Sequence, residues 1–315
     1  MQVLDSIDDD ALDALTARDE FFWLDLVEPA DDDLAALGER FGWHPLALED
    51  VQHFRQRPKL DRYEDQMLIV FYGAHASEAL ADDAPRLVEV HMMVSGGWVV
   101  TVRRRRCAEL DELRRRIAAD PSRDEELVVY KICDALTDTF FPVLERIDDA
   151  IDELEDAIVL HPTDEQLQQV FQLKRRLVVL RRVITPQRDL AARTISEIDD
   201  LPGLTHGSRD YFRDVYDHLI RVSDLIDSYR DLLTGTMDVY LSTVSNRLNQ
   251  VMKQLTLVAT VFLPITALTG FFGQNFGFLV RHITSPAAFF VFGVGGALLS
   301  VLLLYVWFRH QRFLD

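Results

Sequence analysis

Beyond Lys253 this chain has almost no acid. Only Asp315 follows, with Arg281, Arg309 and Arg312 as the bases. Subtracting these from 52 acids and 33 bases leaves 51 against 30 before that point, a net of −21 within a total of −19. A body this acidic repels nucleic acid and anionic lipid and accumulates cations. The runs Arg103 to Arg106 and Arg114 to Arg116 could bind nucleic acid, but without interleaved aromatics they read as a solvated helix face or a hairpin end. No nucleic-acid partner is expected.

Cysteine is equally scarce. Cys107 and Cys133 have neither CxxC nor ligand spacing, which fits free thiols in a reducing compartment. The amino terminus, "MQVLDSIDDDALDAL", lacks a basic segment followed by an apolar one, so no signal peptide is expected and the first 250 or so residues stay in the cytoplasm. A glycine-rich phosphate loop, an HExxH pair and a nucleophile elbow are also missing. Catalysis has no candidate, and no organic cofactor is called for.

What the chain does have is a membrane part. From Ala287 to Phe308, "AAFFVFGVGGALLSVLLLYVWF" runs 22 residues without a charge. That is roughly 33 Å of helix, against a hydrocarbon core of about 30 Å. A second apolar run, from about Leu255 to Phe272, precedes it across a short loop, and the pair reads as a helical hairpin through the bilayer. Arg247, Lys253, Arg309 and Arg312 outside the spans outnumber Arg281 between them, which places both ends inside.

Residues 1–120 read as a mixed α/β domain. "FFWLDL" (21–26), "QMLIVFYGAHA" (66–76), "RLVEVHMMV" (86–94) and "WVVTVRR" (98–104) have strand composition, with Ser95-Gly96-Gly97 linking the last two. "DDDLAALGERFG" and "HPLALEDVQHF" predict short helices, the first opened by Asp31 to Asp33. Residues 121–207 read as a helical hairpin: one helix from about Asp124 to Leu160, then a second opened by a Thr163/Gln166 capping box, kinked at Pro186 and ended near Asp200. If Ser208 then caps a helix running to Phe272, that helix exceeds 60 residues, roughly 90 Å. It divides into a cytoplasmic part (208–254) and a first span (255–273). The external loop (274–286), second span (287–308) and basic tail (309–315) follow.

A helix packed on parallel copies of itself repeats every 3.5 residues. Stepping so from Asp210 gives Asp214, Asp217, Arg221, Asp224, Ser228, Asp231, Gly235 and Asp238. The same steps continue through Ser242, Ser245, Asn249, Met252, Thr256, Ala259, Leu263, Thr266 and Gly270. The lower face is mostly carboxylate, and the upper is hydroxyl, amide or small, interrupted by Met252 and Leu263. One reading is a solvated face below a small-residue packing seam. The other is a ring of identical helices around water, because Asn249, Thr256, Thr266, Gln274 and Asn275 need polar partners in a membrane. Met252 and Leu263 would then form apolar collars that gate by dewetting. With no carboxylate after Asp238 until Asp315, the path cannot strip a hydrated dication, but it can accept hydrogen bonds from the ion's waters. Mg²⁺ surrenders its waters reluctantly, so a neutral ring fits it hydrated. The same lack argues against a proton relay.

"YFRDVYDH" (211–218), "MDVYLSTVSNRLNQVMKQLT" (237–256) and "FLPITALTGFFGQNF" (262–276), with "HPLALEDV" (44–51) more weakly, resemble the CorA-type magnesium transporters. The resemblance implies a homopentameric funnel whose first spans line the pore. It matches Gly273 and Asn275 to a Gly-Met-Asn selectivity triplet, with Gln274 in place of Met. It also implies that Asp238, Asn249, Met252, Leu255, Leu263, Thr266 and Gly270 line or gate the pore. Asp214 falls on an aspartate that helps bind regulatory Mg²⁺ between neighbouring cytoplasmic domains, with a second ligand expected from the α/β domain. Gln274 departs from the pattern, and triplets with other middle residues occur in relatives that resemble zinc transporters. The loop offers Arg281 and His282 instead of an acid, either snorkelling to headgroups or altering selectivity, with His282 a Zn²⁺ contact or pH-sensitive group. Three functions stand: Mg²⁺ transport, transport of Zn²⁺, Co²⁺ or Ni²⁺ by the same fold, and a membrane-anchored metal sensor that conducts little.

Overall fold

The computed structural model describes residues 1–75, 86–120, 127–274, 277–282 and 285–310. They fall into two compact units, Met1–Tyr240 and Leu241–Asp315. In the first unit, β1 (Gln2–Leu4), β2 (Phe22–Val27), β3 (Lys59–Tyr63), β4 (Gln66–Ala74), β5 (Leu87–Ser95) and β6 (Trp98–Arg103) form one sheet in the order β1-β2-β6-β5-β4-β3. The β1–β2 and β2–β6 pairs are parallel and the other three antiparallel. β2, β4, β5 and β6 lie on the four β-branched and aromatic runs, and Gly96-Gly97 links β5 to β6. β1 and β3 were not expected. β1 has only three residues, and β3, "KLDRY", buries only Leu60.

The helices of this unit are α1 (Asp9–Ala17), α2 (Asp31–Phe41), α3 (Pro45–Gln52), α4 (Ala108–Ala119), α5 (Val128–Asp138), α6 (Phe140–Leu160), α7 (Asp164–Glu197) and α8, which starts at Arg209. Asp33 accepts the Ala30 N–H at 3.2 Å at the start of α2, and Thr163 and Gln166 make the expected reciprocal cap of α7. α7 continues through Pro186 to Glu197.

The single helix expected from Asp124 to Leu160 is instead two, α5 and α6, broken at Thr139. The reason is tertiary. The Thr139 hydroxyl donates to Leu136 O at 2.5 Å and accepts the Ala74 N–H of β4 at 2.7 Å. Gly73 makes this approach possible, because a Cβ there would lie 2.9 Å from Leu136 Cδ2 and 3.0 Å from Thr139 Oγ1. Pro142 falls in the first turn of α6, where its missing N–H costs no helical hydrogen bond. α5 is thereby seated on β4 by Ile132, Cys133 and Leu136, all buried, while Asp134 and Asp138 lie off that face.

A second correction concerns the arginine run. Arg103 is not solvated but fully buried at the end of β6, where Nη2 contacts Asp25 Oδ2 at 2.8 Å and also pairs with Asp111 of α4. Asp25 also accepts from Thr101 at 2.8 Å, and Thr101 Oγ1 accepts from Trp23 Nε1 at 3.0 Å. Strand pairing sets Asp25 beside Thr101, so the charge enters the core with its counter-ion. Arg114 and Arg115 do follow the surface reading, paired with Asp5 and Glu112.

α8 spans Arg209–Phe272, 64 residues, after a 3₁₀ turn at His206–Ser208. Up to Tyr240 it buries Phe212, Val215, Leu219, Val222, Ile226, Tyr229, Leu233 and Thr236 in the common core. Thr236 donates to Glu155 at 2.7 Å and Arg181 pairs with Asp227 at 2.7 Å, tying α8 to α6 and α7. From Leu241 onward none of its described residues is buried.

In the second unit the rest of α8 is joined by α9 (Gly277–His282), so part of the segment expected as a loop is helical. The next helix opens at Ser285, which caps α10 (Pro286–Ala288), passes through a π-helical stretch at Phe289–Gly295 and ends in α11 (Gly296–His310). His206–Phe272 and Pro286–His310 are long and apolar enough to cross a membrane. Phe289, Phe290, Leu298 and Leu303 of the latter are more than 60% exposed, which only lipid or protein neighbours satisfy. Arg312 and Asp315 lie outside the described residues.

Candidate functional site

In the second unit, Asn249, Met252, Leu255, Leu263, Thr266, Gly270, Gly273 and Gln274 are all exposed, and Asn275 lies outside the described residues. In this unit the partly covered positions of α8 are Thr243, Lys253, Leu257, Thr260, Val261, Pro264, Ile265 and Leu268. At 3.6 residues per turn that face is centred about a third of a turn from the hydroxyl and amide stripe. A Cβ at Gly296 of α11 would lie 3.9 Å from Leu268 Cδ1, so the covered face is the one that meets the second span. The stripe stays open.

The threonines have more internal partners than the stripe reading assumed. Thr256 donates to Met252 O at 2.8 Å, Thr260 to Thr256 O at 2.7 Å and Thr266 to Phe262 O at 2.8 Å. Their protons are therefore spent inside the helix. Each oxygen still has a lone pair able to accept from a hydrated cation. Gly273 N–H closes the helix on Thr269 O at 2.9 Å, and a Cβ at Gly273 would stand 3.0 Å from that same oxygen. The end of the stripe thus has room only for glycine without a backbone adjustment.

In the first unit, Asp214, Asp217, Arg221, Asp224, Ser228, Asp231, Gly235 and Asp238 are exposed without exception. The structure brings Asp214 to partners that sequence reasoning missed. His218, one turn on, has Nε2 3.8 Å from Asp214 Oδ1, and its Nδ1 lies 3.6 Å from both Asp134 Oδ1 and Asp138 Oδ1. One ligand atom each from Asp134, Asp138 and His218 fit within 4.8 Å of one another. The only sequence signal was spacing: Asp134 and Asp138 are i,i+4 on α5, and Asp214 and His218 are i,i+4 on α8, so each pair shares a helix face.

Packing fixes these two faces against each other. Tyr130 of α5 meets Tyr211 at 5.0 Å and Phe212 at 6.4 Å, while the Phe141 ring stands edge-on to His218 at 6.0 Å. Burial, and then the neighbouring Asp138 charge, push the Asp134 carboxyl above its ordinary range. Burial also raises Asp138, opposed by His218 and reinforced by Asp214. Beside the cluster, a cleft of about 580 Å³ between α4 and α5 is lined by Arg116, Tyr130, Lys131, Asp134 and Asp138 among others. Crowded carboxylates beside an imidazole, reached from a cleft, can hold a divalent cation.

Known proteins resemble this chain over most of its length. The Thermotoga maritima protein named "Cobalt/magnesium transport protein CorA" is 34% identical over 291 residues, covering 90% of this chain and 80% of that one. A "Zinc transport protein ZntB" from Yersinia enterocolitica is 28% identical over 306 residues, covering 96% and 90%. Among solved structures, the complete CorA magnesium transporter of Methanocaldococcus jannaschii superimposes with a TM-score of 0.78 at 23% identity, over 91% of this chain and 89% of that one. Residues 18–310 match the family described as "CorA-like Mg2+ transporter protein". With the mixed sheet, the 64-residue helix and two terminal apolar helices in place, the chain belongs to the CorA-like Mg²⁺ transporter family.

Proposed function

We propose that this chain is one subunit of a homopentamer that carries divalent cations across the cell membrane, Mg²⁺ in hydrated form, with both termini in the cytoplasm. One observation carries the reading: the stripe from Asn249 to Gly270 is exposed, has no acid, and faces away from the second span. Five copies of it around water would satisfy every polar group and offer lone pairs to the first-shell waters of Mg²⁺. Gly273, Gln274 and Asn275 form the entrance filter, where amides meet the hydrated ion. Met252, Leu255 and Leu263 supply apolar constrictions, and the Asp238 ring collects the emerging ion. Span one is 255–273 and span two 287–308.

Asp214 is the regulatory residue. Cytoplasmic Mg²⁺ neutralises carboxylates that otherwise repel one another across subunit contacts, so bound metal holds the ring closed and its loss releases it. Gln274 supports a second reading, passage of Zn²⁺, Co²⁺ or Ni²⁺, because the triplet's middle residue is polar.

Uptake into proteoliposomes tests these readings, with Mg²⁺-sensitive and Zn²⁺-sensitive dyes side by side and Asn275→Ala as control. Mg²⁺ uptake that vanishes in the control supports the first reading. Zn²⁺ uptake alone, shifted toward Mg²⁺ by Gln274→Met, supports the second. Undiminished uptake in Asn275→Ala removes the filter, and silence for both ions leaves a membrane-anchored sensor.

A further inference from the structure

The surface between α3 and β3 carries charge of the opposite sign to the chain as a whole. We propose that Arg55 and Arg57, in the 53–58 strap that follows α3, form with Arg104, Arg105 and Arg106 of the β6–α4 turn a binding site for a soluble oligophosphate anion. The proposal goes beyond cation transport and does not rest on it.

Charge comes first. The chain is −19 overall, yet these arginines are all exposed and, among the described residues, none of them forms an ion pair. Their neighbours Arg103, Arg114 and Arg115 do find carboxylates. Tertiary structure joins the two segments. Arg104 Nη2 donates to Gln52 O at 3.1 Å, and its guanidinium lies 4.7 Å from the centre of the Phe54 ring. Cations gathered on one surface repel one another until an anion arrives.

The strap is held in place from beneath. Glu89 of β5 accepts the Arg55 and Gln56 N–H groups at 2.7 and 2.8 Å, and the Tyr72 hydroxyl donates to Gln56 O at 2.5 Å. Phe54 stacks on the fully buried His91 at 4.4 Å. Arg55 is thereby fixed at φ 78°, a left-handed conformation that a residue with a Cβ resists. Strain of this kind persists only where the surroundings enforce it, and it gathers at ligand clamps. A backbone set in advance leaves less freedom to be lost on binding.

The donors select the ligand. Guanidinium forks match phosphate oxygens two at a time, and linked phosphates answer several arginines at once. Single-stranded nucleic acid needs free rings for its bases to stack on, whereas Phe54 is already engaged by His91 and Arg104. A lipid surface needs apolar side chains beside the charges, and the exposed residues of the strap and turn are only His53 and the arginines. A bound oligophosphate would tie the strap to the turn.

Calorimetric titration of sodium tripolyphosphate into the full-length protein, in non-ionic detergent and without divalent cations, tests this. One anion per subunit is expected, bound more weakly as salt is raised. Arg57→Ala combined with Arg105→Ala should weaken binding about 10-fold or more, since each lost guanidinium removes a hydrogen bond between charged groups. Arg175→Ala combined with Arg182→Ala, at exposed positions of α7, should leave it unchanged. Circular dichroism and oligomer size check that the variants fold; if the first pair does not, titration of the unaltered protein with citrate still decides, because carboxylates should bind more weakly than linked phosphates. Absence of binding, citrate equal to tripolyphosphate, or full binding by the Arg57 and Arg105 variant overturns the proposal. A folded variant that loses its oligomer overturns it by assigning the patch to a subunit contact. Attachment to phosphatidylserine vesicles with no response to tripolyphosphate overturns it in favour of a lipid surface.

Discussion

Removing the Asp25 carboxylate tests how the cytoplasmic unit is held together. Asp25 and Arg103 are both fully buried, and Asp25 takes three hydrogen bonds: from Arg103 Nε at 3.3 Å, Arg103 Nη2 at 2.8 Å and Thr101 Oγ1 at 2.8 Å. In Asp25→Ala the guanidinium stays buried with only Asp111 as counter-charge, and the Asp111 side chain is 29% exposed. Breaking a buried pair costs about 3–5 kcal/mol; Asp111 still compensates part of the charge, so about 3 kcal/mol is expected. For a unit the size of Met1–Tyr240 each kcal/mol shifts Tm by about 2–4 °C, giving a fall of about 6–12 °C. The assay is thermal unfolding of the full chain in detergent, followed by tryptophan fluorescence, to which Trp23 reports through its bond to Thr101. The double variant Asp25→Leu with Arg103→Met should recover most of the loss, because an apolar replacement removes both desolvation penalties. A drop below about 2 °C for Asp25→Ala would refute the reasoning, as would a double variant no more stable than the single one.

Two further expectations follow from local geometry. Gly273→Ala places a methyl 3.0 Å from Thr269 O, so the end of α8 must shift; ion uptake should fall while expression and oligomer size hold, and unchanged uptake would show the turn to be tolerant. Glu89 concerns pH. Burial raises its carboxyl, but the hydrogen bond from His91 at 2.8 Å and those from the Arg55 and Gln56 N–H groups at 2.7 and 2.8 Å outweigh it and hold the group below its ordinary range. A carboxyl depressed on folding contributes stability above its unfolded pKa of about 4.3, and that contribution is lost as pH falls through the lower folded value. Glu89→Gln should therefore be less stable than the natural protein at pH 7, and the gap should narrow below about pH 4; a gap independent of pH would sink this account.

Strands β2, β4, β5 and β6 were legible because each is a run of β-branched and aromatic residues, and α8 was legible because no turn cluster interrupts the chain between Ser208 and Gly273, the lone Pro264 lying inside the helix without ending it. β1 and β3 were not, since one is three residues long and the other alternates charges on a sheet edge. Arg103 looked solvated because its neighbours are arginines, and only the pairing of β6 with β2 showed its counter-ion. The break between α5 and α6 was invisible for a similar reason. It depends on Gly73, more than 60 residues away, letting Thr139 reach the strand.

Periodicity is local information, so the sequence by itself determined the two apolar spans, the long helix, and the stripe of hydroxyls and amides ending at Gly273-Gln274. It placed Asp214 by resemblance and left its partners unnamed. Tertiary structure alone decided that α5 lies against α8, bringing Asp134 and Asp138 to His218 across some 80 residues of chain. Helical spacing tells which side chains share a face. Which other face they meet depends on how glycine, aromatic and strand contacts close the core.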